Sequence, residues 1–153
     1  RERNMLFITA STRLYAMRMR VRGAGTAFEQ SASPAANLLD PNGQFTLYVS
    51  NQSFAVRRVD IRVEIDGQVV VDENFRVGNQ HNWKAFTLKL SPGKHQLRVT
   101  SAKGKAELTE EFEVTGKHWA VIDYWYYPES TRGAEPTPRQ FDFSISDKPI
   151  GFA

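Results

Sequence analysis

The sequence predicts an all-β protein, an antiparallel β-sandwich of up to nine strands with an immunoglobulin-like or jelly-roll-like layout. Three observations predict it. Apolar residues recur with a period of two along most of the chain. The alternating runs follow one another with only turn residues between them, which leaves no room for crossover helices. No stretch of about ten residues carries a clear helical period.

The elements follow in order. Residues 14–22 alternate, with Tyr15, Met17, Met19 and Val21 on one face and Arg18, Arg20 and Arg22 on the other. Residues 23–44 read as a linker rich in Gly, Ala, Ser and Pro, with a short helix expected from Pro34 to Leu39 behind Ser33 as N-cap. Asp40-Pro41-Asn42-Gly43 is a turn. The body, residues 45–153, begins with Phe45, Leu47 and Val49 on one face of a strand. Val59, Ile61, Val63 and Ile65 share the inner face of the next. Asp66-Gly67 is a two-residue hairpin signal, because a type I′ turn needs positive φ at both central positions.

The returning strand is expected to turn Val69, Val71, Phe75 and Val77 inward. Phe86, Leu88 and Leu90 follow, then the Ser91–Lys94 turn, then His95, Leu97 and Val99. Leu108, Phe112 and Val114 form the next run. Glu110 interrupts its alternation and marks a bulge or an edge. His118 to Tyr127 is the most apolar strand. Residues 128–139 read as a loop, and Phe141, Phe143 and Ile145 face inward from the last strand.

A length of 153 residues suits one domain, able to bury about two-thirds of its unfolded surface without a staple. With 41% hydrophobic and 24% charged residues, the composition is that of a soluble globular protein, and two long disordered halves are excluded. The absence of cysteine removes disulfides, thiolate metal sites and thiol nucleophiles. No run approaches the roughly 18 apolar residues of a membrane-spanning helix. Charge is divided unevenly. Arg1, Arg3, Arg13, Arg18, Arg20 and Arg22 oppose only Glu2, so residues 1–22 form a basic arm, whereas the remainder is slightly acidic. Nucleic-acid binding is not expected of such a body.

The run from Leu90 through Pro92, Gly93, His95 and Leu97 to Val99, with the Gly turn and Phe112-Glu113-Val114 after it, resembles the second half of many immunoglobulin-like and fibronectin-III-like modules. The resemblance spans residues 45–127. It implies the sandwich but no activity, since such folds host many functions. The inter-sheet cysteine pair of antibody domains is absent.

Three surfaces are candidates for recognition. On the strand from His118 to Tyr127, Ala120, Ile122, Tyr124 and Tyr126 form the better core face. That leaves Trp119, Val121, Asp123, Trp125 and Tyr127 outside, with Trp125 and Tyr127 about 7 Å apart. Rings so placed suit stacking on a sugar or packing on a partner protein. The loop Gly78-Asn79-Gln80-His81-Asn82-Trp83 combines amide donors and acceptors with a stacking indole. The Arg18, Arg20, Arg22 row is the third, opposite the apolar row Tyr15, Met17, Met19 and Val21. It suits docking on a neighbouring sheet edge.

Catalytic signals are missing: there is no GxSxG elbow, P-loop or GxGxxG. His81, His95 and His118 lie on separate segments without metal-ligand spacing, and Asp40–Gly43 lacks the carboxylate series of an EF-hand loop. No cofactor or metal is expected. Asn51-Gln52-Ser53 matches the glycosylation acceptor pattern after a strand. The reading is a non-catalytic, extracytoplasmic or cell-envelope accessory domain that recognises protein or carbohydrate through Trp125, Tyr127, Trp83, His81, Asn82 and Trp119. The second reading is a structural subunit that self-associates through its N-terminal strand.

Overall fold

The structure, a computed structural model, describes residues 5–10, 13–18, 37–129 and 135–152. Two compact units divide the chain at Ala36/Asn37. The N-terminal unit is an antiparallel hairpin of β1 (Met5–Ala10) and β2 (Arg13–Arg18), registered from Met5↔Arg18 to Ala10↔Arg13. Of the expected arm strand, Tyr15, Met17 and Arg18 fall within β2. Met19, Arg20, Val21 and Arg22 lie outside the described residues.

The second unit contains β3 (Phe45–Asn51), β4 (Arg58–Ile65), β5 (Gln68–Arg76), β6 (Lys84–Leu88), β7 (Gly93–Ser101), β8 (Ala106–Val114), β9 (His118–Tyr127) and β10 (Thr137–Ser146). They form two four-stranded sheets, ordered β10-β9-β3-β6 and β5-β4-β7-β8. All ladders are antiparallel except β3–β9, where Phe45↔His118 runs in step to Asn51↔Tyr124. In body order, strands one, four, seven and eight make one sheet and two, three, five and six the other. That division differs from the first-second-fifth-fourth against third-sixth-seventh split of immunoglobulin constant domains.

No helix occurs among the described residues, and hence none long and apolar enough to cross a membrane. The helix expected up to Leu39 is not formed where the chain is described. Residues 38–40 are extended instead. Lys89 N–H donates to Leu38 O (2.8 Å), Asp40 N–H donates to Thr87 O (3.0 Å), and Leu39 bridges Leu88. Pairing with the edge of β6 satisfies these backbone groups better than one isolated helical turn would.

The core lies between the sheets and follows the period of two. Phe45, Leu47, Val49, Val59, Ile61, Val63, Ile65, Leu88, Leu97, Val99, Ala120, Ile122 and Tyr124 are almost fully buried. Each large aliphatic side chain among them stabilises the fold by about 1.5–3 kcal/mol. Asp66 (φ 51°) and Gly67 (φ 76°) make the expected hairpin turn. The inward set of β5 departs from expectation: Val69 is 43% exposed and Val70 is buried. The cause is a register shift at Val63/Glu64, where Val63 pairs with Val71 and Glu64 with Val69. The extra residue moves the face by one position. Glu110 proves to be an edge feature, because β8 pairs with β7 without a shift and forms the sheet margin.

Two buried polar constructions position the loops. The chain leaves β3 through Asn51, Gln52 and Ser53, which are 0%, 4% and 0% exposed. Asn51 Nδ2 donates to Val56 O (2.8 Å), Ser53 Oγ donates to Tyr126 O (2.6 Å), and Val56 N–H donates to Ser53 Oγ (3.2 Å). These side chains satisfy a backbone corner that crosses between sheets. The glycosylation triplet is therefore a structural corner, and its asparagine amide is sealed inside the folded chain. The β7–β8 turn tucks Gly104 against the core. A Cβ there would lie 2.7–2.9 Å from Ser101, Tyr124 and Val59. Tyr124 donates its hydroxyl hydrogen to Gly104 O (2.9 Å), so the buried phenol is satisfied.

At the far end of this sheet His95 is buried, with Nδ1 2.6 Å from Asp66 Oδ2 and Nε2 2.7 Å from Ser91 O. Both neighbours are acceptors, so both ring nitrogens must donate, which only the imidazolium can do. Burial alone would lower the pKa of His95. The bonds to Ser91 and Asp66 and the Asp66 charge outweigh it, and the pKa is raised. A raised value means the contribution is whole below the unfolded pKa of about 6.5 and is lost as pH rises through the folded value. Accordingly, His95→Gln destabilises by about 1–2 kcal/mol near pH 5.5 and by clearly less near pH 9 in urea denaturation. Equal losses at both pH values would show that the imidazolium is not the form bound.

Candidate functional site

The two sheets present very different outer faces. On the β5-β4-β7-β8 sheet, Arg58, Asp60, Arg62, Glu64, Asp72, Asn74, Arg76, Lys94, Gln96 and Arg98 point outward beside the exposed Val69, a mostly polar surface and the usual state of a solvated sandwich face. The face of β10-β9-β3-β6 is aromatic. From β9 it carries Trp119, Val121, Asp123, Trp125 and Tyr127, and from β3 it carries Thr46, Tyr48 and Ser50. The expected core face of β9 holds, with Ala120, Ile122 and Tyr124 inaccessible. The outer aromatics are half-buried: neighbouring strands cover their flanks and leave part of each ring open.

Register places a polar row beside this aromatic one. Across the β9–β10 ladder Trp125 pairs with Gln140, Asp123 with Asp142, Val121 with Ser144 and Trp119 with Ser146. Trp125 and Tyr127 have ring centroids 6.3 Å apart and planes inclined at 43°, close to the spacing set by the strand rise. Lys117 Nζ lies 5.2 Å from the Trp119 ring centre.

The loop after β5 joins the same face. Trp83 donates Nε1–H to Asp123 Oδ1 (2.9 Å), and Ser50 Oγ donates to the same oxygen (2.6 Å). Gln52 Nε2 donates to Ser50 Oγ (2.6 Å) and to Gln80 O (3.0 Å). Gln80 Nε2 donates to Gln52 O and to Tyr127 Oη (2.7 Å), and Tyr127 donates to Gln52 O (2.7 Å). One continuous network thus fixes the rings of both Trp83 and Tyr127. Phe152 stacks on Trp83 at 4.0 Å and 16°, and meets Tyr48 edge-on at 4.9 Å.

Burial pushes the Asp123 carboxyl above the usual carboxylate range. The bonds from Ser50 and Trp83 pull the other way, and the charge of Asp142 across the ladder adds to the rise. Only Oδ1 receives bonds among the described residues. The fold therefore keeps an acidic group, one oxygen unclaimed, amid aromatic rings at some expense of stability.

Of the residues singled out from sequence, Trp125, Tyr127, Trp119 and Trp83 share this face. His81 is exposed beside it, its ring 6.1 Å from that of Trp83. Asn82, exposed in the same loop, donates Nδ2–H to Arg76 O (2.7 Å) and so helps to hold the loop. Sequence reasoning placed Gln80 in its candidate loop but missed Ser50, Gln52 and Tyr48 as members. The polar run Ser50–Ser53 after an apolar strand was the available signal. The three histidines stay apart, and no group of three metal-ligating side chains is gathered among the described residues.

No protein-family model matches the chain, and no curated protein matches it either.

The Asp123 geometry has a direct consequence. A folded pKa above the unfolded one means the penalty is absent below the unfolded value and grows as pH rises through the folded one. Asp123→Asn keeps the two accepted bonds and removes the charge opposite Asp142. It is expected to be more stable than the parent by on the order of 1 kcal/mol at neutral pH. The two should unfold alike near pH 3 in chemical denaturation. A variant less stable than the parent at neutral pH would contradict this account.

Proposed function

We propose that the body is a non-catalytic recognition domain that binds a carbohydrate chain on the outer face of the β10-β9-β3-β6 sheet. One observation carries the reading: an aromatic row on β9 stands in register beside a row of hydroxyl, amide and carboxylate groups on β10. A sugar ring presents an apolar C–H face and a hydroxyl edge, and the two rows match those two surfaces. The rings of Trp83 and Tyr127 are held by hydrogen bonds before any ligand arrives, so little ordering opposes binding. Contact with glycans fits an extracytoplasmic or cell-envelope setting.

Trp125 is a half-buried ring whose indole nitrogen makes no hydrogen bond to the described residues, and it stands next to Tyr127 on the face. Trp125→Ala is expected to weaken binding on a glycan panel about tenfold or more, and Trp125→Phe to restore part of it. Failure of the parent to bind any glycan, neutral or acidic, would dismiss the carbohydrate reading.

The second reading, a subunit docking through its N-terminal strand, draws on the hairpin that β1 and β2 form as a separate unit. If it holds, the full chain associates in light scattering and a chain lacking residues 1–22 is a folded monomer. Equal masses for the two remove the arm from consideration.

A further inference from the structure

Beside the Gly78–Trp83 loop, and independent of the aromatic face, lies a pocket of about 420 Å³. It is lined by Phe54, Arg57, Arg58, Arg76, Val77 and Gly78. Its walls are well supported. The buried Asn51 amide ties down the backbone at Val56, just before Arg57. Val77 N–H donates to Arg57 O (3.1 Å), and Gly78 turns the chain away with φ 53°.

The charges here are uncompensated among the described residues. Other cations on this sheet have acidic partners: Arg62 with Glu64 and Asp72, Lys94 with Glu111. Arg57, Arg58 and Arg76 have none among the described residues. Moreover, Arg58 and Arg76 stand directly opposite each other across the β4–β5 ladder. Like charges in that position destabilise a sheet, and an anion seated between them removes the repulsion. Phe54, 51% exposed, supplies an apolar wall next to the guanidinium groups.

We propose that this pocket binds a phosphate monoester, with its oxyanion among the three arginines and its apolar carrier against Phe54. A carboxylate has two oxygens and one charge, which a single arginine fork satisfies. Three forks call for a group with three acceptor oxygens and nearly two charges, as a phosphate monoester has. The exposed phenyl ring distinguishes an ester from free phosphate, which has nothing to place there.

The test is titration calorimetry on the full chain at neutral pH and fixed ionic strength, with phenyl phosphate, inorganic phosphate and benzoate as probes. Phenyl phosphate should bind more tightly than inorganic phosphate, and benzoate most weakly. Arg58→Gln and Arg76→Gln should each weaken phenyl phosphate about tenfold. Phe54→Ala should bring phenyl phosphate down to the level of inorganic phosphate. Thermal unfolding of the arginine variants should occur no lower than in the parent, which separates lost binding from lost fold. The proposal is overturned if neither phosphate binds at millimolar concentration, if benzoate binds as tightly as phenyl phosphate, or if the arginine variants bind like the parent. Equal affinity for the two phosphates, unchanged by Phe54→Ala, overturns the ester in favour of free phosphate.

Discussion

The parallel ladder between β3 and β9 is the contact on which the rest of the body depends. It joins the first and seventh strands of the body, with the whole second sheet lying between them in sequence. A parallel pair requires a long crossover, and here it carries β4 to β8, which include the whole four-stranded second layer together with β6 of the first sheet. The same ladder places Ser50 beside Asp123 and lets Gln52 N–H reach Tyr124 O (2.9 Å). The candidate site and the inter-sheet corner therefore rest on one pairing.

From that pairing follows a division of labour between the outer faces. The β5-β4-β7-β8 sheet shows solvent a charged lattice with several surface ion pairs, each worth little in water. The β10-β9-β3-β6 sheet shows partly open aromatic rings held by a polar network. Large rings left half-buried forgo some hydrophobic stabilisation, and Asp123 among them is kept against its own desolvation. Folding alone requires neither feature. Both are economical if a ligand covers the face.

The Gly78–Trp83 loop separates two surfaces of opposite character. On one side Trp83 and His81 extend the aromatic face. On the other, Arg76 and Gly78 border the arginine pocket. Asn82 links the two through its bond to Arg76 O, and Gln80, with φ 67°, carries the strained turn that brings its amide to Tyr127. A short polar loop here organises both surfaces.

Much of the architecture was legible in the sequence. Period-two alternation identified the strands of the body and the inner faces of β3, β4, β7 and β9, because side chains alternate strictly across a pleated sheet, but it did not single out β1. Asp66-Gly67 declared its hairpin because few residues tolerate positive φ. The aromatic residues of β9 were visible as a candidate surface for the same reason as its core face. What only the tertiary structure decided depends on contacts distant in sequence. The shift at Val63/Glu64 that exchanged Val69 for Val70 arises from strand register, which periodicity within one strand does not encode. The extended path of residues 38–40 was set by the open edge of β6, which overrode a local helix signal. Sealing of Asn51, and union of Trp83, Asp123, Ser50, Gln52, Gln80 and Tyr127 into one network, required the pairing of β3 with β9. The sequence by itself determined most of the residues that face the core, Val69 and Ile145 being exposed against expectation. The long-range ladders determined which polar groups meet, because hydrogen-bond partners are chosen by strand order and register.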